Sequence, residues 1–136
     1  MAFLGRVDVL KVDDKGRLAI PAKFRPQFGA DAAYLTSSED PCIAVYTRTS
    51  FDEASAEILN VSAKASEGRK GRRKFFGDAS DLMPDGQGRV NVPPALLAHA
   101  GIEKGSDVLI IGAGEWFEIW SPARWAEWEE SSEGEA

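Results

Sequence analysis

The sequence predicts a strand-rich α+β protein made of two tandem copies of one small β-α-β-β unit, and three observations carry that reading. "DDKGRLAIP" (13–21) and "DGQGRVNVP" (85–93) share the pattern Asp-x-[Lys/Gln]-Gly-Arg-x-x-[Ile/Val]-Pro. Positions 72 apart agree at Gly16 and Gly88, Arg17 and Arg89, Pro21 and Pro93, and Gly29 and Gly101. Positions 74 apart then set Val45, Tyr46 and Phe51 against Ile119, Trp120 and Trp125, so the second copy holds a two-residue insertion.

Each copy reads in the same order. "VDVLKV" and "SDLM" are apolar strands that lead into the Asp-x-x-Gly-Arg turn, and "RLAI" and "RVNV" leave it as short alternating strands. Pro21 and Pro93 take the first helical position, where a missing N–H does no harm. The helices they open are brief: "PAKFRPQFG" and "PPALLAHAG" end at Gly29 and Gly101, both suited to a left-handed cap, and Pro26 shortens the first. Two strands follow in each copy, "AAYLT" and "CIAVY", then "DVLIIG" and "WFEIW". A helix closes each: Ser50 with Glu53 forms a capping box before "FDEASAEIL", and Ser121-Pro122 opens "SPARWAEW". The repeats span 1–59 and 75–128, with a basic connector at 60–74 and an acidic, disordered tail at 129–136.

A chain of 136 residues buries a modest core without covalent staples. Cys42 is the lone cysteine and His99 the lone histidine, which excludes an intramolecular disulfide and argues against a His/Cys metal site; no cofactor is expected. The apolar run "VLIIGA" from Val108 is far short of the roughly 20 residues of a membrane helix, and "MAFLGRVDV" lacks a signal peptide's apolar core. A cytoplasmic setting is expected, in which the "NVS" at 60–62 is a chance match to a glycosylation site.

The net charge of -6 argues against nucleic acid until its distribution is read. From Glu115 onward seven glutamates oppose Arg124 alone, so residues 1–114 are neutral as a group. Within them "KASEGRKGRRK" (64–74) sets six cations against Glu67. That run, including Arg72 and Arg73, offers salt-sensitive attraction to phosphate, although a solvated connector has the same composition.

In the repeated turn, Asp13 and Asp85 suit an Asx-turn and Gly16 and Gly88 a positive φ. A turn needs no cation, however, and Arg17 and Arg89 occupy the same step of both copies, with Lys15 beside the first. Guanidinium forks suit phosphate, or O6 and N7 of guanine, and the aspartate four residues earlier can hold each fork in place.

The residues "DDKGRLAIPAKFR", "AVY" before Phe51, "RRKFFGDA", "DGQGRVNVP" and "VLIIGAGEWFEIWSPARW", with Phe3 and Gly5, together resemble the MraZ family of bacterial transcriptional regulators. The resemblance covers residues 3 to about 125. It implies an AbrB-like swapped-hairpin fold in which the tandem copies build a pseudo-twofold β-barrel with short helices, and assembly of the chains into a ring. It also implies sequence-specific binding to short direct repeats in double-stranded promoter DNA upstream of the division and cell-wall gene cluster, including the regulator's own promoter, with repression in the cytoplasm, on the nucleoid. The family's Asp-x-x-x-Arg motifs fall on Asp13–Arg17 and Asp85–Arg89. Copy one has the stronger expectation of DNA contact: Lys15 stands where copy two has Gln87, and Lys23 and Arg25 stand in a segment that reads "ALLAHA" in copy two.

Gly112-x-Gly114 begins like a dinucleotide fingerprint, but Phe117 replaces the third glycine and an aromatic strand replaces the helix, so a strand-to-strand turn is expected. No nucleophile–base or paired-acid pattern suggests an enzyme. The alternative is an oligomeric scaffold or protein-binding module that acts through the aromatic C-terminal face and acidic tail.

Overall fold

Gly and Pro punctuation divides the chain into short elements. The computed structural model describes residues 2–28 and 33–135; Gly29, expected to cap the first short helix, lies outside the described residues. In order, the elements are β1 (Arg6–Lys11), β2 (Arg17–Ala19), a single 3-10 turn (Arg25–Gln27), β3 (Ala33–Ser37), β4 (Ile43–Thr47) and α1 (Arg48–Asn60). Then come α2 (Ser66–Gly77), β5 (Ser80–Asp81), β6 (Arg89–Asn91), α3 (Pro94–Ala100), β7 (Asp107–Gly112), β8 (Trp116–Trp120) and α4 (Pro122–Glu135).

The strands form a six-stranded antiparallel sheet, in the order β1-β7-β8-β4-β3-β5, and a separate two-stranded ribbon, β2-β6. Pairing is reciprocal between the copies. β1 of the first lies on β7 of the second, while β5 of the second lies on β3 of the first. Two ladders are self-symmetric: Leu18 pairs with Val90, its equivalent 72 positions on, and Ala44 with Glu118, its equivalent 74 positions on. A pseudo-twofold axis therefore passes through both pairs, and neither copy holds a complete sheet by itself. Among the described residues the sheet and the ribbon are separate ladders, and the six-stranded sheet has β1 and β5 at its edges.

Alternation along β4, β7 and β8 sorts side chains onto two faces. Ile43, Val45, Val108, Ile110, Phe117 and Ile119 join Leu18, Val90, Phe24 and Leu96 in the main core beneath the ribbon. On the other face Cys42, Leu109 and Trp120 pack with Ile111 and Trp125. Phe117 is fully buried, with Phe3 and Phe24 at centroid distances of 5.3 and 5.1 Å.

Several local expectations need correction. Pro93 is the N-cap of α3 and Pro94 sits inside it, while the segment after Pro21 forms only the 3-10 turn at Arg25–Gln27, because Pro26 supplies no amide to a longer helix. Gly101 does cap α3 in the left-handed region, at φ +65°. The capping box of α1 is Thr47 with Ser50, three residues ahead of the expected Ser50 with Glu53: Thr47 Oγ1 accepts from Ser50 N–H, and Ser50 Oγ from Thr47 N–H, both at 3.1 Å. Much of the basic connector is helical, since α2 begins at Ser66 and buries Phe75 against the ring of Phe51, at 5.2 Å. α4 likewise continues across 129–135, where the sequence suggested a disordered tail; Trp125 and Trp128 stack at 5.1 Å just ahead of that stretch, and its glutamates are good helix formers. No helix among the described residues is long and apolar enough to cross a membrane.

Candidate nucleic-acid interface

The two repeated turns have one geometry. In the first, Asp13 Oδ1 accepts the amides of Lys15 (2.9 Å) and Arg17 (2.8 Å), and Oδ2 accepts Arg17 Nε (2.8 Å). In the second, Asp85 Oδ1 accepts the amides of Gln87 (2.8 Å) and Arg89 (3.0 Å), and Oδ2 accepts Arg89 Nε (3.0 Å). Gly16 and Gly88 sit at φ +82° and +78°, a conformation that side chains resist. These bonds favour the ionised carboxylates. Asp13 is held below its ordinary value of 3.8, first by the Arg17 amide, and Asp85 first by the Arg89 amide and then that of Gln87.

The ribbon places both arginines on one face. Leu18 and Val90 point into the core, so by alternation Arg17, Ala19, Arg89 and Asn91 point outward. Arg17 stands opposite Asn91 and Arg89 opposite Ala19, which makes the arginines diagonal neighbours. The turns themselves lie at opposite ends of the ribbon, each tied to the far end of the other copy's strand: Gly16 O accepts Val92 N–H at 2.9 Å, and Gly88 O accepts Ile20 N–H at 3.3 Å. Each guanidinium spends Nε on its aspartate, and neither Nη group has a protein partner among the described residues. The two forks are thus oriented yet open.

Two more cations reach these turns, and the sequence did not reveal where. A methyl carbon on Gly88 would lie 3.0 Å from Arg25 Nη2, so the guanidinium of copy one rests on the turn of copy two, tethered by Nε to Ile20 O at 2.9 Å. A methyl carbon on Gly16 would lie 3.5 Å from Lys104 Cε, and Gly105 N–H donates to Val12 O at 2.8 Å. Arg25 was expected to add charge to its own copy. The exchange of strands delivers it to the other, and only knowledge of the β2–β6 pairing could have shown this.

The basic run stands apart from the ribbon. Its helix, α2, packs on α1 and β3, where buried Thr36 donates to Phe75 O at 2.6 Å. Arg72 Nη2 donates to Leu59 O (3.1 Å) and Val61 O (3.2 Å), satisfying carbonyls at the end of α1, and Arg69 Nη1 donates to Ala63 O and Lys64 O in the turn between α1 and α2. Arg73 is exposed and makes no such bond. Elsewhere, Gly112 and Gly114 form the β7–β8 hairpin, with Ala113 N–H donating to Trp116 O at 2.9 Å and Phe3 bridged to Gly114. Trp120 lies in the core rather than on an aromatic outer face.

A duplicated α+β chain that presents paired, carboxylate-oriented arginines on one outer face is the class of protein this geometry defines. The family profile described as "MraZ protein, putative antitoxin-like" matches it twice, over residues 3–73 and 75–135. The "Transcriptional regulator MraZ" of Thermomicrobium roseum is 39% identical over 124 residues, which cover 91% of this chain and 84% of that protein. Those of Paenarthrobacter aurescens (39%, covering 87% and 80%) and Cutibacterium acnes (36%, covering 96% and 89%) carry the same name. The chain belongs to the MraZ family of transcriptional regulators.

Proposed function

We propose that this chain is a sequence-specific DNA-binding regulator that represses its own promoter and the division and cell-wall gene cluster, acting in the cytoplasm on the nucleoid. Arg17 and Arg89 are the reading residues, each able to offer two Nη groups to guanine or phosphate. Lys15 adds a phosphate contact. One observation carries the reading: both arginines are held at Nε, with no Nη partner among the described residues, on a shared face. A ring of chains binding short direct repeats would multiply weak individual turns into useful affinity. The reciprocal β1–β7 and β5–β3 pairing supports a swapped-hairpin arrangement in which the ribbon covers the sheet as the remaining wall of a barrel.

Footprinting the DNA upstream of the chain's own gene tests this. Protection of a series of short direct repeats is expected, retained after deletion of residues 129–136. Uniform weak protection, or protection that is lost on that deletion, would overturn the reading and return attention to protein binding through α4.

A further inference from the structure

The five-residue turns are electrically neutral. In 13–17, Asp13 and Asp14 balance Lys15 and Arg17; in 85–89, Asp85 balances Arg89, and Gly86 and Gln87 stand where copy one has Asp14 and Lys15. Neutral loops supply little of the counterion release that drives binding to DNA. What makes each turn positive comes from the other copy, Lys104 for the first and Arg25 for the second.

We propose that Arg25 and Lys104 are phosphate-binding residues of the DNA interface, each completing the turn of the opposite repeat. The inference rests on the reading of the turns as DNA-binding. Arg25 is exposed, and its tether at Nε leaves both Nη groups free beside Gly88. The same station in the first turn is held by Leu97, 72 positions on, whose Cδ1 would lie 3.8 Å from a methyl carbon on Gly16. There the charge is supplied instead by exposed Lys104, from the corner whose backbone clasps Val12 and Asp13. The repeats therefore solve one electrostatic problem with different residues. Direct readout by the ribbon arginines and phosphate anchoring by the cross-supplied cations are separate tasks.

The test is an equilibrium titration of the full chain and its Arg17→Ala, Arg25→Gln and Lys104→Gln variants. Each is titrated against a duplex from the region upstream of its own gene and a shuffled duplex, across a salt series. Arg25→Gln and Lys104→Gln should each reduce the slope of log affinity against log salt by about 0.9 per turn engaged. At 0.1 M salt that is about eightfold in affinity, equal on both duplexes. Arg17→Ala should instead remove the preference for the promoter. Wild-type slopes in both Gln variants, with preference lost in Arg17→Ala, would overturn the inference and leave the turn reading standing. Preference unchanged in Arg17→Ala would overturn the turn reading itself. Lost preference in a Gln variant without a change of slope would also contradict a phosphate role. Lys104→Gln removes no hydrogen bond among the described residues, so it stays informative if Arg25→Gln, which loses its bond to Ile20 O, melts early.

Discussion

Replacing the glycines of the turns one at a time separates backbone demand from crowding. Gly16 and Gly88 lie at φ +82° and +78°, while Gly86, in the same turn as Gly88, has no positive φ and nothing within 4 Å of a methyl carbon. A non-glycine residue in the left-handed region costs about 1–2 kcal/mol. At Gly16 the new methyl would meet Lys104 Cε at 3.5 Å and Val92 O at 3.6 Å, ordinary contacts, so strain is the whole cost. At Gly88 it would meet Arg25 Nη2 at 3.0 Å, and the free end of that side chain can swing aside. Gly16→Ala and Gly88→Ala should therefore each lose about 1–2 kcal/mol, or about 3–5 °C in Tm per kcal/mol for a chain of this size. Gly86→Ala should be neutral, or gain about 0.4–1 kcal/mol through a less flexible unfolded chain. Urea melts at one fixed protein concentration read all three. The two turns lie at opposite ends of the ribbon and Gly16 O and Gly88 O accept from different amides, Val92 and Ile20, so the two losses should add in the double variant. Equal stability of Gly16→Ala and the parent, or a Gly86→Ala loss as large as that of Gly16→Ala, would refute the reasoning.

Other expectations follow from the same contacts. Because Asp13 and Asp85 are held below 3.8, the stability they add is complete above that pH and lost as pH falls further; Tm measured down the acid limb should flatten in an Asp13→Asn, Asp85→Asn double variant. Arg72→Ala should cost about 1 kcal/mol by uncapping α1, a loss read in the same urea melts. Leu18→Ala, at a core position 1% exposed on the pseudo-twofold axis, should cost about 2–5 kcal/mol. Cys42 is buried, and desolvation pushes its thiol up, so thiol reagents should label it only after unfolding.

Much of the site was legible because its chemistry is local. The Asx-turn, the positive φ of Gly16 and Gly88 and the Asp–Arg pairs lie within five residues, and the second copy shows which positions the turn requires. The duplication and most strands were legible for the same reason. What could not be read is long-range. Nothing near Arg25 says that β2 pairs with β6 of the other repeat, so its charge was credited to the wrong turn. Composition could not show that Arg72 meets the carbonyls of Leu59 and Val61 across a tight helix corner. The Ser50 and Glu53 signature was overtaken by Thr47, whose hydroxyl starts α1 a full turn earlier. The helicity of residues 66–77 and of 129–135 was hidden by charge density, which the packing of Phe75 and Trp128 offsets.

The central claim is that the turn occurs twice in order to hold an arginine against DNA. Its most direct test is the binding preference of an Arg17→Ala, Arg89→Ala double variant for the promoter duplex over a shuffled duplex, in a protein whose melting curve is unchanged. The account predicts that the parent chain prefers the promoter and that the variant binds both duplexes alike. An undiminished preference in the double variant would contradict it and leave the turns as architecture.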